Sequence, residues 1–233
     1  MMCYDIIKGP PPANRIFRII LAALGLLVCS LGTYLQLRAN IGLAPWNALH
    51  QGLSICLPLT YGQATILISF LVLLADLLLH EPVGAGTLLD AVIVGWGVDV
   101  LARLDITVPQ DKLILQVLVL LAGMVVVCFG QAVYMKAALG CGPRDALLIA
   151  LGKRFSHLSV GLVNLAVFSA ILLISILLRS PVGIGTLIGT FCTGLMMDAV
   201  FHLLRFDPCA VHHEALAQTL SITAVPLKRY RNQ

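Results

Sequence analysis

Apolar residues in this chain run in long blocks separated by short polar breaks, and the blocks show no strict alternation. A continuous apolar run of about twenty residues is what a helix rising about 1.5 Å per residue needs to cross roughly 30 Å of hydrocarbon. The pattern predicts spanning helices over 16–38, 62–80, 86–104, 113–137, 159–178 and 184–204. Two shorter runs, 45–56 and 143–153, would reach only about 16–18 Å and are read as re-entrant or interfacial half-helices. The expected fold is all-α and membrane-integral, with about six transmembrane helices.

The second feature is an internal repeat. At an offset of 98, Gly25 and Gly32 match Gly123 and Gly130, and Arg38 matches Lys136. The segment Gly42-Leu43-Ala44-Pro45-Trp46-Asn47-Ala48-Leu49 matches Gly140-Cys141-Gly142-Pro143-Arg144-Asp145-Ala146-Leu147. At an offset of 99, Gly62 matches Gly161 and Pro82-Val83-Gly84-Ala85-Gly86-Thr87-Leu88 matches Pro181-Val182-Gly183-Ile184-Gly185-Thr186-Leu187. Gly95 and Asp99 close the match against Gly194 and Asp198. The chain therefore divides into a leader (1–15), a first membrane repeat (16–104), a loop (105–112), a second repeat (113–204) and a polar tail (205–233). Three crossings per repeat would insert the second copy upside down, the arrangement of many transporters. With both termini cytoplasmic, eleven of the fifteen Lys and Arg fall inside and Arg38, Arg103, Lys112 and Arg179 outside, as the positive-inside rule expects. Four crossings per half give the same split, so length alone selects three.

Composition narrows the class further. The chain is 59% hydrophobic and 11% charged, against about 45–50% and about 25% in soluble domains. Its solvent is a lipid bilayer. The formal charge of +4 is spread over loops and tail without interleaved aromatics, which argues against nucleic acid as a partner. Seven cysteines with no C-x-x-C pair read as small apolar residues, and neither a metal centre nor a cofactor is expected. In the tail, Cys209, His212, His213 and Glu214 stand close together but form no recognised ligand spacing.

The G-x-x-P-(W/R)-(N/D)-A-L segment after a long first helix, and the later P-V-G-x-G-T opening of a helix that ends near Asp, resemble the bacterial YczE/YyaS/YitT group, most closely its YczE branch. The resemblance runs from about residue 16 to 204. It implies a polytopic inner-membrane protein for which transport is commonly supposed, and it supplies no reaction.

Two constellations can carry chemistry. Gly42 and Pro45, like Gly140 and Pro143, open the short helices, where proline costs nothing and glycine lets the chain bend. Free N–H groups at such ends attract anions, helped by Arg38 and Lys136 just upstream, and Asn47 and Asp145 stand in the first turn to cap or to face ligand. The alternative is a simple turn at the membrane interface with snorkelling cations. Asp99 and Asp198, near the ends of the third helix of each half, are candidates for proton or ion coupling, or else carboxylates solvated near headgroups and paired with Arg103, His202 or Arg205. Asp76, Asp90 and His80 lack a like counterpart at the aligned positions Ser175, Gly189 and Arg179, and Asp76 and Asp90 rank lower for that reason. The glycines at seven-residue spacing, and the G-x-x-x-G step of Gly185 and Gly189, read as helix-packing faces.

These observations favour a gradient-driven transporter of a small molecule or ion with a central site between the repeats. No phosphate-binding loop is present to power it. A non-transporting scaffold or regulatory subunit is the alternative, and self-association into a homo-oligomer is compatible with either. A membrane enzyme ranks last, because no nucleophile–base or metal motif is found.

Overall fold

Each apolar run of the sequence becomes a helix in the computed structural model, which describes residues 15–79, 81, 84–104, 112–140, 142–155 and 160–205. Nearly all of the leader, most of the loop 105–112, almost the whole tail with its Cys209–His212–His213–Glu214 group, and His80, Pro82, Val83 and Cys141 lie outside the described residues. Among the described residues there are eight helices and no strand: α1 (Arg15–Ala39), α2 (Pro45–Cys56), α3 (Tyr61–Leu78), α4 (Ala85–Arg103), α5 (Leu113–Lys136), α6 (Pro143–Arg154), α7 (Val160–Leu177) and α8 (Ile184–Leu203). Five of them, α1, α3, α4, α5 and α8, are long and apolar enough to cross a bilayer. The sixth predicted span, α7, is apolar over Gly161–Leu177 but sits at the lower limit of about 17 residues for a crossing. Large apolar side chains such as Ile114, Phe191 and Leu177 point outward, as expected where lipid is the solvent.

The architecture is organised around α1 and α5, which pack along most of their lengths. Their contact is made by glycine. A Cβ on Gly25 would stand 2.6 Å from the Tyr134 nitrogen and 2.8 Å from the Gly130 oxygen, and one on Gly32 would stand 2.6 Å from the Gly123 oxygen. Residue numbers rise along α1 as they fall along α5, so the two helices run antiparallel. Lipid tails offer no hydrophobic drive for association, and bare backbone faces permit the close approach from which dispersion energy comes. The crossing is fastened at one end by Arg18, a buried guanidinium whose Nε and Nη2 donate to the Ala137 and Ala138 carbonyl oxygens at 2.8 Å each. Carbonyls left unpaired at a helix C-terminus are natural partners for a cation.

Around this pair the contacts recur in matched sets. Helix α4 packs on α1 as α8 packs on α5, and the short helices exchange sides, α2 lying on α7 and α6 on α3. The Gly86 N–H donates to the Leu139 oxygen at 2.8 Å, and at the aligned positions the Gly185 N–H donates to the Ile41 oxygen at 2.7 Å. Gly84 and Gly183 each donate through N–H to the hydroxyl of Thr87 and Thr186 at 3.2 and 3.3 Å.

One pair breaks the match. Helices α3 and α4 pack closely, with Gly62 against Gly95, whereas α7 and α8 barely touch. Thr60 caps α3, its hydroxyl oxygen accepting from the Gln63 N–H at 3.1 Å while the Gln63 side chain accepts from the Thr60 N–H at 3.0 Å. Asp99 of α4 reinforces that end, with Oδ1 accepting from the Gly62 N–H at 2.8 Å and Oδ2 from the Thr60 hydroxyl. The aligned Asp198 is exposed, and among the described residues Gly161 and Gly194 meet nothing within 4 Å.

These contacts set two expectations for stability, both read by thermal unfolding of the detergent-solubilised protein with circular dichroism. Gly32→Leu drives side-chain atoms into the α5 backbone and should cost about 1–3 kcal/mol or more, lowering the midpoint by several degrees, while Gly161→Ala should not lower it. Asp99→Ala removes two hydrogen bonds from the α3 terminus and should cost about 1–3 kcal/mol, whereas Asp198→Ala should stay within about 0.5 kcal/mol of the parent.

Candidate functional site

The short helices begin alike. After α1 the chain turns through Asn40 and Gly42 at φ 52° and 102°, and after α5 through Ala138 and Gly140 at φ 55° and 127°. Glycine is required at 42 and 140 on two counts. The left-handed φ disfavours a side chain, and a Cβ would stand 2.6 Å from the Gly183 nitrogen in one case and 2.8 Å from the Gly84 Cα in the other. Pro45 and Pro143 then start α2 and α6 in their first turns, and neither helix has a side-chain N-cap, since Ala44 and Gly142 occupy the capping positions.

The chain doubles back at each turn, so both helix starts lie inside the bundle. They meet at a cavity of about 150 Å³ lined by Gln36, Pro45, Trp46, Asn47 and Arg144, with Cys128 of α5, Phe168 of α7, and Gly189, Thr193 and Met197 of α8. That is room for about five waters or one small metabolite. The Arg144 guanidinium stands over the Trp46 ring, 5.6 Å from its centroid, so a residue from the start of α6 is held by a residue from the start of α2. Asn47 donates through Nδ2 to Gln36 Oε1 at 3.4 Å, and the Ser175 hydroxyl reaches toward the Pro45 oxygen at 3.5 Å. Behind the cavity, Asp90 Oδ2 and Asp145 Oδ2 lie 2.9 and 3.7 Å from where a Gly142 Cβ would be, which places two carboxylates beside the N-terminus of α6.

The structure brings together only part of the predicted set. Pro45 and Asn47 line the cavity, Pro143 is buried at the start of α6, and Asp145 lies behind it near Asp90. Gly42 and Gly140 shape the turns and do not line the cavity. Arg38 faces elsewhere, stacked 5.4 Å from the Tyr34 ring centroid with Nε donating to the Tyr34 hydroxyl at 3.1 Å. It opens on a separate cleft of about 560 Å³ shared with Asn40, Gln51, Ser54 and Tyr61. Lys136 is exposed. Asp99 caps α3 and Asp198 is exposed on α8, so these two aligned acids do not come together.

The cation of the cavity is Arg144, which sequence reasoning passed over because its aligned residue is Trp46 and repeat matching favours residues that agree. Gln36 was missed as one more polar residue in an apolar run. Arg18 was missed for a different reason: its aligned residue is Gln116, and nothing in the sequence brings it to the end of α5.

Comparison with known proteins agrees with this picture of a multi-helix membrane protein. A model of a family of unknown function, DUF6198, matches residues 16–202. A Haemophilus influenzae protein named only as uncharacterized is 30% identical over 190 residues, 82% of this chain and 85% of that one. Bacillus subtilis YyaS is 31% identical over 181 residues, 76% of this chain and 89% of YyaS. YczE of the same organism, named as an uncharacterized membrane protein, is 28% identical over 179 residues, 74% and 80% of the two chains. No solved structure matches. With the family match covering most of its length and its helices apolar enough to span a bilayer, this chain is a membrane protein that belongs to the DUF6198 family and is similar to YyaS and YczE.

Proposed function

We propose that this chain is a gradient-driven transporter of the bacterial cytoplasmic membrane, multi-pass with both termini cytoplasmic, that carries a small zwitterionic molecule through a site between two inverted repeats, where Arg144 stands near Asp90 and Asp145. The reading is supported above all by the meeting of the two short-helix N-termini at one cavity, with Arg144 held over Trp46 between them. Broken helices whose N-terminal ends converge near the middle of a bundle are the usual way a membrane transporter binds a negatively charged group, because free N–H donors and the positive dipole end replace hydration.

The antiparallel crossing of α1 and α5 supports the inverted arrangement, since an even number of crossings per half would leave those helices parallel. The cation bias of the loops supports cytoplasmic termini. Asn47 and Gln36 add polar contacts that orient a bound molecule. Binding and passage, not bond-making, is the proposed action.

The test is uptake into proteoliposomes holding the purified protein, across a panel of small carboxylates, amino acids and inorganic anions under an imposed proton or sodium gradient. A charge-assisted hydrogen bond is worth about 1.5–3 kcal/mol, so Arg144→Gln should weaken apparent affinity roughly 10- to 100-fold. Lys136→Gln should leave it unchanged. No uptake across the panel, or equal uptake by Arg144→Gln and the parent, would overturn the reading.

A further inference from the structure

The duplicated chain carries the same packing residues at α3–α4 and at α7–α8, Gly62, Gly95 and Asp99 in one place and Gly161, Gly194 and Asp198 in the other. In the first half all three are engaged, glycine against glycine and carboxylate on the α3 terminus. In the second half the two glycines face open space and the acid is exposed. Small residues let helices meet closely and are otherwise a liability inside a helix, where glycine costs roughly 0.5–1 kcal/mol against alanine.

The open pair is also where the cavity lies. Phe168 of α7 forms one wall, and Gly189, Thr193 and Met197, one turn apart along α8, form the other. At the positions aligned with Gly189, Thr193 and Met197 stand Asp90, Val94 and Val98, and Val98 is fully buried beneath the α3–α4 contact.

We infer that the protein has a second conformation in which α7 and α8 close on each other through Gly161 and Gly194, with Asp198 at the α7 terminus, while α3 and α4 part at Gly62 and Gly95. The two forms are then mirror uses of one duplicated module. In the present form the cavity is walled by α7 and α8, and in the other by α3 and α4. Gly62 and Gly95 stand at the start of α3 and midway along α4, and Gly161 and Gly194 at the start of α7 and midway along α8, so the antiparallel halves put the two contacts on opposite sides of the middle of the bundle. The cavity therefore changes the end from which it is reached. A packed interface with two discrete arrangements is the element such a switch needs. This inference rests on the proposed transport reading for its purpose, but its geometry is tested without any substrate.

The experiment uses the full chain in bacterial membranes, its seven cysteines replaced, carrying Gly161→Cys with Gly194→Cys and oxidised with copper phenanthroline. Both positions have open space, so the pair does not disturb the form described here. A monomer-sized disulfide product in most chains is expected, and little from Leu162→Cys with Leu195→Cys, whose side chains face outward. In the locked protein an added Val98→Cys should become at least tenfold more reactive to a thiol reagent. Absence of the product in protein with a parental melting point would overturn the inference, and so would a dimer-sized product, which means that the glycine faces meet between two copies. Locking of the cysteine pair, with no measurable uptake by the same protein in its reduced, unlocked form, would leave the second conformation standing and count against transport. Uptake without locking would do the reverse.

Discussion

Everything in this molecule depends on how closely two backbones approach where α1 crosses α5. The glycines at 25, 32, 123 and 130 bring carbonyl and amide groups of the two helices to distances at which no Cβ fits. In water such a contact would be one among several sources of stability. In lipid it is a leading source, because burial of apolar surface against apolar solvent contributes nothing. The seven-residue spacing of each glycine pair keeps both on one face of a helix, and the antiparallel sense lets the pair from one half meet the pair from the other. Arg18 closes the end of the crossing where helix carbonyls run out of partners.

The crossing in turn positions the short helices. With α1 and α5 opposed, the turns that leave them lie at opposite ends of the bundle, each with the same left-handed backbone and the same glycine. Each turn is pinned to the start of a helix from the other half, Ile41 to Gly185 and Leu139 to Gly86. The short helices are thereby aimed inward, and their first turns meet. The turns are alike, but the residues presented are not: Trp46 and Asn47 come from one side, Arg144 and Asp145 from the other. The scaffold is near-symmetric, whereas the chemistry inside it is one-sided.

Helix positions were legible in the sequence because hydrophobic thickness and rise per residue set them, and Pro45–Cys56 and Pro143–Arg154 emerge within a residue of the predicted short runs. The packing role of Gly25, Gly32, Gly123 and Gly130 was legible too, from spacing alone. The partners were less so. A glycine face says that something approaches closely, not what, and only the fold pairs Gly25 with Gly130. At the site, agreement between halves pointed to Pro45, Asn47, Pro143 and Asp145, which do lie around the cavity. The same criterion set aside Arg144 and Asp90, where the halves differ. It also ranked Asp99 with Asp198, although a carboxylate caps a helix only where that helix is packed against it, and in the second half it is not.

The opposed orientation of the two halves in the bilayer is the claim on which the site and its switching rest. Asn40 follows α1, Lys136 ends α5, and both side chains are exposed. The direct measurement is labelling of single Asn40→Cys and Lys136→Cys variants by a membrane-impermeant thiol reagent in intact cells and in inside-out vesicles. Opposed halves predict that the first reacts only in cells and the second only in vesicles. Labelling of both from the same face would contradict them.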